Sequence, residues 1–464
     1  MSAEGATEKA RSRVDRGDEL ELEVESLAFG GNGVSRVELE GGRSYVVFVR
    51  DTVPGDRVRA LVTRRKRRYA EARPLELLAA GPDRIEPVAD HPGVPWQVLS
   101  YDRQLEIKQA QVEEALRRLG GLEGFELEPI VPAVEQWRYR NKLEYSFGDC
   151  EGELACGFHA PGSWSEIVPL DDCLLASERG NEARRAALDA LRPLGLAAYD
   201  RRTHAGFLRN LVVREGRRTG DLQVRLVTSP GPFDGAPFAA AMQEAGATSV
   251  IHSVAERTGE TTYGGRDTLL AGSAEIEELC AGLRFSLGAE AFFQTNTEMA
   301  DVLYATAAEF SGLRGWERCY DLCCGIGSIG LVLAPHAGEV VGVEIVGQAV
   351  EDARRNAALN EITNAEFIEG NVRVVLKELA AGPSRPDLVV VDPPRSGLAR
   401  KAVARIAEAG PRRIVYVSCN PTTLAPDAAQ LAEGGYRLTR VRPVDMFPQT
   451  PHIECVALLE REGT

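Results

Sequence analysis

Three polar residues stand at the ends of apolar runs, and their types suit covalent chemistry on an electron-poor ring. The run Ile414, Val415, Tyr416, Val417 breaks at Ser418-Cys-Asn-Pro421. Cys419 therefore falls where a parallel strand of an open α/β sheet meets its ligand crevice. Asp387-Leu-Val-Val-Val-Asp-Pro-Pro-Arg395 repeats the form, with Asp392 at the strand end and two prolines stiffening the loop. His452-Ile-Glu-Cys-Val-Ala-Leu-Leu459 carries Glu454 into an otherwise apolar strand. Each of the three, taken alone, reads equally well as a capped strand terminus. A thiol and two carboxylates at one crevice supply a nucleophile and a base.

The elements that position them begin near Thr297, where strand and helix patterns alternate. Residues 299–310 read as a helix, 319–323 as a strand, 324–328 as a tight turn and 329–334 as a helix. A second strand, 340–344, ends in Glu344 and precedes a helix over 348–360. Further strands are expected at 365–368, 388–391, 414–417, 436–441 and 454–459. This rhythm predicts a doubly wound parallel sheet with an antiparallel last strand. Gly325 and Gly327 let the backbone approach a ligand, and Glu344 follows at about the 20-residue distance used to grip ribose hydroxyls. The turn lacks the third glycine of a dinucleotide fingerprint. Acids at successive strand ends suit the cationic sulfonium nucleoside S-adenosylmethionine better than a pyrophosphate.

The chain has 464 residues, more than one core accommodates, and a net charge of −15 that excludes indiscriminate coating of nucleic acid. It has no apolar leader and no run long enough to span a bilayer, so a cytoplasmic protein without membrane contact is expected. The nine cysteines show no zinc or disulfide spacing and read mostly as buried small hydrophobes. Residues 1–17 read as a disordered lead-in, and the short strands up to residue 75 as a small closed barrel. Residues 57–73 of that barrel hold Arg57, Arg59, Arg64, Arg65, Lys66, Arg67, Arg68 and Arg73 against Glu71 alone. Such a run either protects an edge strand or meets a polyanion. A Pro-rich linker is expected over 74–96, then a helix over 100–120. In Trp137-Arg-Tyr-Arg-Asn-Lys-Leu-Glu-Tyr-Ser-Phe147 rings alternate with cations, which suits either unpaired bases or an ordinary amphipathic strand. Residues 150–290 read as α+β, with hairpin-like strands and a second basic zone at Arg201, Arg202, Arg209, Arg214, Arg217 and Arg218.

Together these segments resemble the uracil-5 RNA methyltransferases, which make 5-methyluridine in ribosomal and transfer RNA. The similarity rests on Phe292-Phe-Gln-Thr-Asn296, Asp321-Leu-Cys-Cys-Gly-Ile-Gly-Ser328, Val343-Glu344, Asp392-Pro-Pro-Arg395, Ser418-Cys-Asn-Pro421 and Asp445-Met-Phe-Pro-Gln-Thr-Pro-His-Ile-Glu454, in order. It implies a TRAM-like, OB-like RNA-binding barrel over 18–75 and an α+β central domain over 76–290, of which 76–125 is discontinuous with the catalytic domain. A Rossmann-like methyltransferase domain is implied over 291–464. It implies Cys419 as nucleophile and Glu454 as base, with Gln294, Cys323, Gly325, Gly327, Ser328, Glu344, Asn371 and Asp392 around S-adenosylmethionine. Phe292, Gln294 and Asp392 are expected around the target base, Asp392 accepting its N3–H. RNA contacts are expected from Arg64, Arg65, Lys66, Arg67, Arg68, Arg138, Arg140 and Lys142. Ionisation of Cys419 is expected to be easier at a polar strand end than in an apolar core, and burial is expected to raise the Glu454 pKa.

Two departures from the family pattern stand out. The iron–sulfur members carry three cysteines where this chain has Val88-Ala-Asp-His-Pro-Gly-Val-Pro-Trp-Gln97, so Cys173 alone would remain of four ligands, and neither a cluster nor another metal is expected. Pro426 stands where the family usually has Arg. The implied activity is methyl transfer to C5 of a flipped uridine in structured RNA, by a monomer. Ribosomal RNA of the 23S type is the first expectation, because the barrel resembles that of the ribosomal branch and transfer RNA members often lack it. The alternatives are the same chemistry on a transfer RNA uridine, or a non-catalytic RNA-binding factor on a methyltransferase fold. A cytosine-5 enzyme would carry a cysteine after Asp392-Pro-Pro, and an adenine amino-methyltransferase an aromatic residue. Here that position is Arg395.

Overall fold

The computed structural model describes residues 12–259, 261–381 and 385–463. They form two compact units, one with residues up to 90, 94–111 and 448–452, the other with 91–93, 112–447 and 453 onward.

In the first unit, the alternation of Glu19–Glu23 turns Leu20 and Leu22 inward and the acids outward. With Ser26–Leu27, Gly33–Leu39, Arg43–Val49, Arg57–Arg65 and Tyr69–Ala79 it makes one sheet, in the order first, fifth, sixth, fourth, third, second. Beyond the first strand, Val24 N–H donates to the Asp56 carbonyl and Glu25 N–H to that of Val34, which joins the two sides of the sheet. Leu20, Leu22, Val47, Val49, Val58 and Val62 fill the core. Residues 1–11 of the expected lead-in lie outside the described residues. The rest of it is not disordered: Val14 is buried in the barrel core and Gly17 N–H donates to the Val62 carbonyl. The expected linker also starts late, because the Tyr69–Ala79 strand runs through Pro74. That proline faces Ala60 at a register shift, where a missing N–H is tolerated.

The second unit contains an eight-stranded sheet. From one edge its strands are Ala365–Glu369, Glu339–Glu344, Arg318–Leu322, Leu388–Val391, Arg413–Ser418, Glu454–Arg461, Tyr436–Val444 and Glu126–Leu127. The first five are mutually parallel, and Glu454–Arg461 runs antiparallel to both neighbours. Leu388–Val391 is apolar and buried throughout, as a central parallel strand should be. Helices follow the strands: Ser328–Leu333, Gly347–Leu359, Val372–Ala381, Arg400–Ala409 and Pro421–Glu433. The last is started by Asn420, whose side chain accepts the Thr422 N–H, with Pro421 in the first turn. Cys419 is thereby fixed in the one-residue gap between strand and cap.

A second sheet in this unit orders Ile167–Pro169, Glu153–His159, Lys142–Cys150, Leu208–Glu215, Leu222–Thr228, Ser249–Val254 and Arg266–Gly272. Ser249–Val254 pairs parallel with Leu222–Thr228, not as a hairpin, because the helix Ala236–Glu244 makes a crossover between them. The hairpin of Glu275–Cys280 and Leu283–Gly288 then leads to Phe292 and to the helix Thr297–Ser311, capped by Asn296.

Candidate active site

Sheet register sets the site. Leu322 pairs with Val343 on one side and with Val391 on the other, so Cys323, Glu344 and Asp392 stand level at three adjacent strand ends. On the next strand Val417 is level with Asp392, and Cys419 lies two residues further on the same face. Ser418 pairs with Cys455 at the end of the antiparallel ladder; Cys419 and Glu454 are the next residues beyond that pair, close enough for Glu454 to bear on the thiol. Glu344 and Cys419 are three strand spacings apart, roughly 14 Å at ~4.8 Å each. The row thus runs from Glu344 through Cys323 and Asp392 to the pair Cys419 and Glu454.

The electrostatics of the pair are those of a largely buried, acidic site. Glu454 is 3% exposed, and burial, then Asp392, push its carboxyl well above the usual range while Arg395 opposes them. Burial raises Asp392 to about 7. The Cys419 thiol, half-buried, is pushed up to about 11 by burial and then by Glu454 and Asp392, with Arg395 pulling the other way. The thiol is raised above its ordinary value but less than the fully buried Cys319 and Cys455 thiols, as expected of a strand end against an apolar core. A strand end is polar, but here its polar neighbours are carboxylates, which disfavour a second negative charge. In the sequence Arg395 stands only as part of a motif. In the structure its guanidinium is the cation that bears on both Cys419 and Glu454.

At the other end of the row, Glu344 accepts the Gly325 N–H at 3.1 Å through one oxygen, and those of Ile345 and Val346 at 2.8 and 3.0 Å through the other. Cys323, Gly325 and Gly327 adopt left-handed backbone at φ +59°, +53° and +83°. A Cβ on Gly325 would meet nothing within 4 Å, so this part of the turn opens to a ligand. One on Gly327 would come within 2.9 Å of the Phe367 ring, so that glycine serves packing instead. Ile345 and Val346 are 63% and 54% exposed beside Glu344, an apolar shelf that suits a nucleobase and that periodicity alone does not mark. Below the turn, Asp321 accepts the Gly330 N–H at 2.8 Å while its other oxygen is buried without a partner. Burial, against that hydrogen bond and with Asp392 and Glu344 nearby, raises Asp321 to about 7. Burial, then Glu344 and Asp392, push the Cys323 thiol up to about 12. An acidic, partly apolar, open turn of this kind fits a cationic sulfonium nucleoside.

The remaining expected residues are spread around this row. Ser328 opens the helix after the turn and is hydrogen-bonded by buried Tyr304. Asn371, exposed, caps the helix after the Ala365–Glu369 strand by accepting the Arg373 N–H. Gln294 is buried, its carbonyl held by the Asn141 amide at 2.9 Å, and Phe292 is 61% exposed.

The basic segments divide. Residues 64–68 are exposed; Arg64 lies 3.5 Å from Glu71 and Arg65 3.7 Å from Asp15, while Lys66, Arg67 and Arg68 form the turn itself. Arg57 and Arg59 pair with acids on neighbouring strands. Between 137 and 147 the rings do not form a stacking platform: Tyr139, just before the Lys142–Cys150 strand, and Tyr145 and Phe147 within it are fully buried, and that strand has a neighbour on each side. Arg138 is tied to Asp172 at 2.7 Å and Lys142 to Glu144 at 2.6 Å. The second basic zone is largely internal. Arg201 and Arg209 are buried and donate to carbonyls, and Arg217 and Arg218 pair with Glu298 and Asp301.

Residues 281–462 match the model of the tRNA (uracil-5-)-methyltransferase family, and residues 13–75 match the TRAM domain. An uncharacterised RNA methyltransferase of Halalkalibacterium halodurans is 37% identical, with 97% of this chain and 99% of that protein covered. One from Chlorobaculum tepidum is 38% identical over 88% and 90%. The chain belongs to the uracil-5 RNA methyltransferase family. The crystal structure of Pyrococcus abyssi tRNA (uracil-54, C5)-methyltransferase with S-adenosyl-L-homocysteine superposes with a TM-score of 0.76 at 29% identity, covering 95% of this chain and 99% of that one. Family membership makes the chain an S-adenosylmethionine-dependent RNA methyltransferase, with an RNA-binding TRAM domain at its N-terminus.

Within this uracil-5 RNA methyltransferase, Cys173 is buried with His91 Nε2 3.4 Å from its sulfur. Among the described residues no group of three or more His, Cys, Asp or Glu is placed to hold a metal ion, and no helix is long and apolar enough to cross a membrane. Pro426 lies inside the Pro421–Glu433 helix and removes one N–H from its ladder. Its neighbour Asp427 is firmly held: the carboxylate accepts the Tyr416 hydroxyl at 2.7 Å and the Leu398 N–H at 2.9 Å. That carboxylate links the strand before Cys419 to the loop after Asp392.

Proposed function

We propose that the chain methylates C5 of a specific uridine in RNA, with ribosomal RNA of the 23S type as substrate. The observation that carries this is the meeting of Cys419 and Glu454 just beyond the Ser418–Cys455 pair, with Asp392 on the adjoining strand end and both carboxyls bearing on the thiol. Uracil C5 is a poor nucleophile. Cys419, as thiolate, forms a bond to C6, and the C5=C6 electrons move toward O4, which makes C5 nucleophilic. S-adenosylmethionine, when bound, supplies the electrophilic methyl group that C5 receives. Glu454 then takes the C5 proton, the double bond re-forms and the C6–S bond breaks with its electron pair returning to sulfur. Burial makes the Glu454 carboxylate a stronger base once ionised. Asp392 orients the ring by accepting its N3–H, with Phe292 and Gln294 beside it. Glu344, Cys323, the Gly325 turn, Ser328 and Asn371 hold the donor.

The target base leaves its stack to reach this row, at a cost of a few kcal/mol unless it already lies in a loop. The TRAM turn at residues 66–68 offers the phosphate contacts that offset it. A transfer RNA uridine is the second reading, favoured by the Pyrococcus abyssi enzyme, whose match spans most of this chain. The protein acts as a cytoplasmic monomer. Nucleotide-resolution mapping of 5-methyluridine in cells with and without the protein tests both readings. Loss at one or a few positions of the large ribosomal RNA is expected. Loss in transfer RNA alone would move the substrate, and loss nowhere would overturn the chemistry.

A further inference from the structure

Phe292 also borders a cavity of about 320 Å³ whose described lining includes none of Cys419, Glu454, Asp392 or Glu344. Arg140, Lys142 and Arg214 line it against a single carboxylate, Glu144. That carboxylate is committed to Lys142 at 2.6 Å and to the Thr262 hydroxyl at 2.8 Å. Arg214 is 2% exposed, and its guanidinium donates to the main-chain carbonyls of Gly288 and Ala291, neutral groups; the carboxylate that bears on its charge is Glu144, already shared with Lys142. Arg140 Nε is buried without a hydrogen-bond partner. Burying three cations against one carboxylate is costly, and an entering anion lowers that cost. The same wall holds the rings of Tyr263 and Phe292, 44% and 61% exposed. Lys142 Nζ lies 5.0 Å from the Tyr263 ring centroid and donates to its hydroxyl at 3.1 Å. Cations beside exposed aromatic rings are what a single-stranded nucleotide uses, its phosphate on the charges and its base on a ring. The volume is at the lower end of small-ligand pockets, about 300–1,000 Å³.

The cavity is tied to the target-base segment. Arg214 holds the Ala291 carbonyl, and Asn141 holds the carbonyls of Thr295 (through its N–H) and Gln294 (through its side chain). Residue 140 bridges to Asn296. The walls of the cavity therefore fix both ends of the stretch that carries Phe292 and Gln294.

We propose that this cavity is a second nucleotide pocket, which takes one nucleotide flanking the target uridine on the same RNA strand, with its phosphate on Arg140 and Arg214 and its base against Tyr263. The inference rests on the RNA-uridine reading above. The test uses a short RNA around the mapped uridine, with each flanking base replaced in turn by an abasic site. For the wild-type protein one abasic position raises KM roughly tenfold, the loss expected for one stacked base. Tyr263→Ala, at an exposed ring, raises KM on intact RNA by a similar factor and no longer responds to that abasic position. Arg140→Gln makes log KM less steep against log salt, by about the amount one phosphate contributes. Wild-type KM in both variants, or effects of Tyr263→Ala that add to those of every abasic position, would overturn the pocket while methyl transfer continued. Absence of methylation by the wild-type protein would instead strike the uridine reading.

Discussion

The strand-end row of the catalytic sheet and the basic turn of the N-terminal barrel solve opposite electrostatic problems. In the row, Asp392, Glu454 and the Cys419 thiol sit close together under partial or complete burial, and each is held toward its neutral form. At the turn, Lys66, Arg67 and Arg68 are exposed to water. The first arrangement stores reactivity: groups reluctant to ionise become strong bases and nucleophiles when they do. The second supplies affinity, which salt screens. Binding strength and chemistry are thus built in separate places and respond to different variables.

The largest expected separation comes from Cys419→Ala. It lowers methyl transfer by roughly 10⁴-fold or more, as loss of a nucleophile does, with cofactor and RNA binding retained in equilibrium titrations. Turnover near the wild-type rate would break the comparison at its first point. Next is pH. The reaction needs Asp392 and Cys419 deprotonated, and their values of about 7 and about 11 make kcat/KM climb across pH 6–9. A profile flat over that range would mean the thiol ionises far more easily than its neighbours suggest.

A smaller effect comes from neutralising residues 64–68. RNA affinity falls, and the slope of log K against log salt becomes shallower by about one for each phosphate no longer bound. An unchanged slope would place the turn away from RNA. The smallest effect is on stability. Asp392 has a folded-state pKa of about 7 against the ordinary 3.8, so its charged form opposes folding. The stability it allows is complete below pH 3.8 and is lost as pH rises through 7. Urea unfolding of Asp392→Asn should therefore show a gain over wild type that grows across this interval, reaching roughly 1–3 kcal/mol. A gain that shrinks with rising pH would contradict the burial of that carboxylate.

Much of the fold is legible in the sequence because its signals are local. The Leu388–Val391 strand, the left-handed Gly325 turn and the Asn420 cap each arise from a few adjacent residues, and together they set the row. The illegible part depends on distant partners. The rings of Tyr145 and Phe147 turn inward because their strand is central, which only its two neighbours decide. Arg209 and Arg214 read as surface charge in the sequence but spend their donors on buried carbonyls. The raised Cys419 thiol reflects burial and then Glu454 and Asp392, all set by residues far from it in the chain. Val14 reads as part of a lead-in because one apolar residue among charges gives no periodicity.

The central claim, that Cys419 and Glu454 work on one uracil ring, is tested most directly by Glu454→Gln incubated with RNA and S-adenosylmethionine and then run on a denaturing gel. The account predicts a slow-migrating RNA–protein adduct joined through Cys419, since the ring is methylated but its C5 proton stays. Release of methylated RNA at the wild-type rate with no such band would contradict it.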